Sequence, residues 1–203
     1  MIYVVDDDPD MGETIALMLE HENLESRVFA SANEFLALDE HHPTSCLLLD
    51  NHMPGLSGLE LQALLALRKV RIPIVFMSGD ARAPDIVTAV KGGAYQFLQK
   101  PFTKAKLVST IAEAIAEQKE LDVQVVQKSQ RKAKLASLTP REAQLLELLC
   151  LGHSNKSVST ELGISNSTVE FHRANLNKKL DTKNLVDLIL LYRDILTTSE
   201  INS

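Results

Sequence analysis

The chain has 203 residues, of which 45% are hydrophobic and 24% charged, with no Trp and a formal net charge of −6. Those proportions are ordinary for a globular protein. No stretch reaches the ~18 uninterrupted apolar residues of a membrane helix, and Met1 leads straight into a polar cluster at Asp6, unlike a signal peptide. The two cysteines, Cys46 and Cys150, lie far apart in apolar runs, which argues against a disulfide framework. A cytoplasmic protein with no membrane partner is therefore expected. Charge divides unevenly: residues 1–120 carry 10 Lys+Arg against 18 Asp+Glu, and residues 121–203 carry 11 against 9. An acidic half (−8) joined to a faintly basic one (+2) points to two different partners, although two extra positive charges do not establish nucleic-acid binding.

Through the first half, short apolar runs alternate with helical patterns, the signature of a parallel sheet buried on both faces. Strands are predicted at Ile2–Val5, Ser26–Phe29, Cys46–Leu49, Ile74–Met77 and Ala94–Leu98. Met11, Ile15, Met18 and Leu19 stripe the first helix. Ser31 with Glu34 and Ser57 with Glu60 are expected to open the second and third as capping boxes, and a fourth helix covers about Pro84–Lys91. The expected fold is a doubly wound, five-stranded parallel α/β domain over residues 1–120, with ligands beyond the carboxyl ends of its strands.

From Thr103 onward, Leu107, Ile111, Ala114, Gln118, Leu121 and Val125 recur at spacings of four and three, with no Gly or Pro before Pro140. This reads either as one long helix, with residues 121–137 a helical linker, or as a helix that breaks around Gln127–Lys134. Lys128, Arg131, Lys132 and Lys134 then form a solvated face or a basic arm near DNA. Thr139, Pro140 and Glu142 supply an N-cap, a first helical residue and a capping-box partner. Four helices are predicted within residues 138–203, at about Pro140–Leu151, Asn155–Leu162, Asn166–Leu180 and Asn184–Leu196. Ser154 and Ser165 serve as caps, and Gly152 and Gly163 as stops.

Each strand of the first domain is followed by a residue with chemical capacity: Asp6, Asp7 and Asp8 after the first, Asp50 after the third, Ser78 after the fourth, Lys100 after the fifth. In a parallel sheet these converge on one edge, where clustered carboxylates require a cation or a proton. Mg²⁺ is the economical choice, since it prefers carboxylate oxygens and keeps waters that a phosphoryl oxygen can replace. A carboxylate is a competent nucleophile for an aspartyl phosphate, with Ser78 and Lys100 placed to hydrogen-bond the phosphoryl oxygens. Asp8, just before Pro9, is expected to cap a helix instead.

Val4-Val5-Asp6-Asp7-Asp8, Leu49-Asp50-Asn51-His52-Met53-Pro54-Gly55, Met77-Ser78-Gly79 and Lys100-Pro101-Phe102 resemble, in order and spacing, the receiver domain of bacterial response regulators. That resemblance implies a CheY-like fold in which Asp50 is phosphorylated by a sensor histidine kinase. It further implies that Mg²⁺ is held by Asp7, Asp50 and the backbone carbonyl of His52 with help from Asp6, that Ser78 is the switch hydroxyl, that Lys100 senses the phosphoryl group, and that Phe97 turns inward on activation. His52 and Asp80 stand where side chains tune the attacking water in that family, and so bear on the lifetime of the phosphoryl group. Gly92-Gly93-Ala94 departs from the usual Ala-Gly-Ala, which is expected to loosen the fourth helix by roughly 1 kcal/mol.

In the last quarter, a short helix, a Gly turn and a second helix make a helix-turn-helix. If Val169, His172, Leu176 and Leu180 are the buried stripe, a 100° step places Ser167, Phe171, Ala174, Asn175 and Lys178 outward, with Glu170 and Asn177 beside them. Phe171 then faces either a second packed surface or thymine methyls in a major groove. Leu138-Thr139-Pro140-Arg141-Glu142, Gly152-His153-Ser154-Asn155-Lys156 and Thr168-Val169-Glu170-Phe171-His172-Arg173-Ala174-Asn175-Leu176 resemble the LuxR-type DNA-binding domain. With the receiver, the whole chain is similar to the NarL/FixJ family. The resemblance implies that Asn166–Leu180 is a recognition helix bearing Ser167, Thr168, Glu170, Phe171, Ala174 and Asn175, and that Lys156, Arg173, Lys178 and Lys179 meet the DNA backbone. It also implies a dimer surface on the last helix, at Leu185, Leu188, Ile189 and Tyr192. The expected protein is not an enzyme but a transcription regulator whose phosphorylation promotes homodimerisation on double-stranded promoter DNA, with RNA polymerase a further partner on the family's pattern. The alternative is a phosphorylation-independent DNA-binding dimer with a structural receiver.

Overall fold

A computed structural model of the chain describes residues 1–38, 42, 44–80 and 82–199, the last seven as backbone alone. Its first unit, residues 1–121, contains strands β1 (Ile2–Val5), β2 (Ser26–Phe29), β3 (Cys46–Asp50), β4 (Ile74–Ser78) and β5 (Gln96–Gln99). They form one parallel sheet in the order β2-β1-β3-β4-β5. Helices α1 (Pro9–Glu20), α2 (Ala32–Leu36), α3 (Gly58–Leu67), α4 (Ala83–Lys91) and the long α5 (Lys104–Ala136) alternate with the strands. Because strand side chains alternate in direction, Ile2, Val4, Leu48 and Val75 pack with Ile15 and Leu19 of α1 and with Leu107 and Ile111 of α5. Their neighbours Tyr3, Val5, Leu47, Leu49 and Phe76 pack on the other face with Phe35, Leu61, Leu65 and Ala89. The predicted doubly wound domain is thus the observed one.

Local differences have local causes. The fifth strand starts at Gln96, not Ala94, because Ala94 N–H returns to Ala89 O and Gly93 N–H to Val90 O in a left-handed close of α4, with Gly93 at φ +87°. Gly92 stands close to another element: a Cβ there would fall 2.6 Å from Oε1 of the buried Gln62, which would have to shift. Gly92 thus leaves room for a side chain of α3, a contact that the sequence does not show, while Gly93 has open space where a Cβ would stand. Ser31 caps α2 as expected, but the Glu34 carboxylate accepts from Ala30 N–H, one residue before the cap, so the box is not reciprocal. At α3 both halves of the Ser57–Glu60 box form.

Helix α5 is continuous over 33 residues, with no break near Gln127–Lys134. In the second unit, residues 122–203, α6 (Pro140–Cys150), α7 (Asn155–Leu162), α8 (Asn166–Leu180) and α9 (Leu185–Ser199) enclose Leu145, Leu146, Leu149, Val158, Val169, Leu176, Leu180 and Leu188. Gly163 closes α7 in the left-handed conformation, and Asp181 closes α8 at φ +57°. Asn184 Oδ1 then accepts from Asp187 N–H to open α9. The surface expected on α9 needs correction. Leu188 is buried in its own domain's core and Leu185 and Tyr192 pack against that core, leaving Val186 and Leu190 as the large exposed apolar side chains among the described residues of α9.

One buried acid fastens this unit. Glu142 completes the box with Thr139, accepting from its backbone N–H (2.8 Å) and hydroxyl (2.9 Å), and also accepts from Lys179 Nζ at 2.7 Å. Lys179, foremost, and Thr139 hold the Glu142 carboxyl down to about 2. A value below the ordinary 4.5 means that this contribution to stability is complete above the unfolded value and is lost as pH falls toward 2. Glu142→Gln is expected to cost about 1–3 kcal/mol, and thermal melts should show the variant losing less stability than the wild type on acidification through that window.

Candidate functional site

Register places the acidic pocket. Val5 of β1 lies beside Leu49 of β3, so the next residue on each strand, Asp6 and Asp50, emerges at the same sheet edge. Asp50 pairs with Met77 and Ser78 pairs with Gln99, which brings Ser78 and Lys100 to that edge too. Strand order reverses here, between β2-β1 and β3-β4-β5, the place where open α/β sheets leave a crevice.

The ammonium of Lys100 donates to Asp6 Oδ2 and to Asp50 Oδ1, both at 2.7 Å. Partial burial pulls the Lys100 pKa down, but the hydrogen bonds and charges of Asp50 and Asp6 outweigh it and leave it above the ordinary lysine value. Asp50 Oδ2 accepts from His52 N–H at 2.6 Å, and Asp6 Oδ1 from Asp8 N–H at 3.0 Å. Asp8 itself caps α1, accepting from Asp10 and Met11 N–H. Asp7 is exposed on the same loop. Ser78 Oγ is buried, donates to Asp80 O and lies 3.3 Å from His52 Nδ1. Phe97 is half-buried and stacked on Phe76, with centroids 5.8 Å apart.

Among the described residues, no three His, Cys, Asp or Glu side chains gather closely enough to hold a metal ion by themselves. The donor set nevertheless suits a hydrated hard cation. Asp6 and Asp50 share the one ammonium of Lys100, Asp7 is exposed beside Asp6 in sequence, and a divalent ion that retains waters needs few protein ligands.

Sequence reasoning missed a neighbouring cluster. Asp85 of α4 accepts from Arg82 Nε at 3.0 Å and from Asn51 Nδ2 at 3.5 Å, and lies 3.8 Å from His52 Nε2. Only the fold brings α4 beside the loop after Asp50, and no motif announces it.

In the second unit, Phe171 stands at the centre of the outer face of α8 with 63% of its surface exposed, and Ser167, Glu170, Ala174 and Lys178 are also exposed. Lys156 is exposed on α7, while Thr168, Arg173 and Asn175 are half-buried. The hydroxyls of Ser167 and Thr168 both lie 2.8 Å from the cap hydroxyl of Ser165. Two of the expected backbone contacts are engaged within the domain: Arg173 donates to Asn155 Oδ1 at 2.6 Å, and Lys179 to Glu142. The Thr139–Glu142 capping box was the available signal that Glu142 turns inward, but nothing in the sequence linked it to Lys179.

The model of the response regulator receiver domain matches residues 2–112, and that of the bacterial regulatory proteins of the luxR family matches residues 136–192. Nodulation protein W of Bradyrhizobium diazoefficiens is 36% identical over 93% of this chain and 83% of its own length. The transcriptional regulatory protein FixJ of Azorhizobium caulinodans is 35% identical over 93% and 89%. The chain belongs to the NarL/FixJ family of response regulators. Among solved structures, response regulator StyR is similar with a TM-score of 0.82 and 36% identity, covering 95% of this chain and 98% of that one. Full-length FixJ from B. japonicum has a TM-score of 0.59 and 34% identity, with 97% of each chain covered. As a response regulator with a LuxR-type domain, the protein is a two-component transcription regulator rather than a conventional enzyme. No described helix is long and apolar enough to cross a membrane.

Proposed function

We propose that Asp50 of this response regulator accepts a phosphoryl group from a sensor histidine kinase, and that the modified protein dimerises and binds promoter DNA. The observation that carries this reading is the setting of Asp50, a nearly buried carboxylate held between the Lys100 ammonium and the His52 N–H at the open edge of the sheet. An Asp50 oxygen attacks phosphorus, an O–P bond forms as the N–P bond of the phosphohistidine breaks, and the kinase imidazole recovers the electron pair. Lys100 pairs with the Asp50 carboxylate and is placed to follow the phosphoryl oxygens, while Ser78 is positioned to donate to one of them. Asp6, Asp7, Asp50 and the backbone carbonyl of His52 would hold Mg²⁺, which neutralises phosphoryl charge when bound.

Paired receivers raise the effective concentration of one DNA-binding domain beside the other, and two recognition helices then meet a two-fold-related site. Lys156 and Lys178 contact phosphates and the outer face of α8 reads bases, with RNA polymerase the further partner in activation. Arg173 and Lys179 act by holding the domain together. Intact mass and solution molecular weight with Mg²⁺ and acetyl phosphate test the switch: one added phosphoryl group and a monomer-to-dimer shift are expected. Equal DNA affinity with and without the donor would favour the phosphorylation-independent dimer.

The metal is separately testable. Mg²⁺ is expected to raise the melting temperature of the wild type, by the equivalent of ~2.7 kcal/mol at a hundred times its dissociation constant. An unchanged melting curve across a Mg²⁺ titration rules out the ligand set.

A further inference from the structure

Helix α4 is held by little apolar burial: Ala89 is its one buried residue, while Val87 and Val90 are more than half or half exposed. Its two ends are fastened instead by polar side chains from the segment following Asp50. At the C-terminal end, the buried Gln62 of α3 donates to Ala89 O at 2.9 Å, and Gly92 leaves the space that this side chain occupies. At the N-terminal end, the Asp85 carboxylate takes Arg82, Asn51 and the edge of His52.

His52 joins that end to the pocket. Its Nδ1 lies 3.3 Å from Ser78 Oγ, its Nε2 is 3.4 Å from Arg82 Nη2 and 3.8 Å from Asp85, and its backbone N–H bonds Asp50. A second observation marks the same end: Asn51 Oδ1 is buried without a hydrogen-bond partner. Buried acceptors are rarely left unmet, so Asn51, which donates to Asp85, is itself only half satisfied, whereas Gln62 donates to Ala89 O at the other end.

We propose that Asp85 is the positioning residue through which the state of Asp50 reaches α4. A phosphoryl group that draws Ser78 away from His52 frees the imidazole, loosens its contact with Asp85 and lets the first turn of α4 pivot about the Gln62–Gly92 end. The proposal rests on phosphorylation of Asp50 as read above.

The test uses the full chain, wild type and Asp85→Ala, with and without acetyl phosphate and Mg²⁺. Intact mass reports phosphorylation, and hydrogen exchange reports α4. The wild type is expected to gain a phosphoryl group and to show faster exchange in the first turn of α4 when it does. Asp85→Ala is expected to gain the group as well, but to exchange about tenfold faster there beforehand, as loss of one tether implies, with no further change on phosphorylation. Asp85→Asn, which keeps the shape and the acceptor, guards against a folding defect and should fall between the two. If phosphorylated Asp85→Ala matches the wild type in both states, the assignment to Asp85 is wrong. A wild type that never gains the group overturns the reading of Asp50, and this proposal with it.

Discussion

Asp50→Asn is expected to gain no mass from acetyl phosphate and to keep the oligomeric state of the unmodified protein. Asn retains the shape of the side chain and an oxygen for the His52 N–H, which is 2.6 Å from Asp50 Oδ2 in the wild type, but its amide is not a nucleophile toward phosphorus. The fold should survive, because Lys100 keeps its second partner Asp6 at 2.7 Å. Removing one of the two carboxylates that share the Lys100 ammonium also lowers the repulsion between them. The variant is therefore expected to melt at or above the wild-type temperature without Mg²⁺ while losing the whole phosphodonor response. Intact mass and light scattering on the same samples decide it: normal dimerisation of Asp50→Asn with the donor would place the switch elsewhere.

Phe171→Ala should weaken DNA binding by about 1–3 kcal/mol, roughly ten- to a hundredfold, the range for loss of a good base contact. Its ring is 63% exposed at the middle of the outer face of α8, so truncation removes little from the domain's own packing and thermal stability should hardly move. With Ser167 four residues before and Ala174 three after, both exposed and small, the ring forms a ridge able to enter a major groove and meet thymine methyls. Duplexes enriched from a random pool by the phosphorylated wild type give the measurement. Replacing thymine by deoxyuridine should reproduce the loss for the wild type and add nothing to Phe171→Ala. An affinity unchanged by either change would mean that Phe171 faces protein.

Much of this could be read directly from residues. The β1 and β2 spans and those of α7 and α8 follow from apolar periodicity, cap residues and Gly163, all signals that act within a few positions. The convergence of Asp6, Asp50, Ser78 and Lys100 was legible because parallel strands must end on one edge. Other features depend on groups distant in the chain. Gly92 looked like a weakness because the sequence could not show Gln62 lying against it. Lys179 and Arg173 looked like free cations until Glu142 and Asn155 were seen to hold them. Leu188 fitted an outward stripe as well as an inward one, since one helix's periodicity does not say which side meets the core.

The sequence alone determined which chemical groups this regulator possesses and the order in which they leave the sheet, because strand polarity and local capping are set by neighbouring residues. The tertiary structure decided which of those groups are already engaged and which stay open. Lys100 is shared by two acids, Asp85 is tied to the loop after Asp50, and Phe171 faces outward. Those outcomes depend on hydrogen bonds and burial between residues tens of positions apart, and no local pattern encodes them.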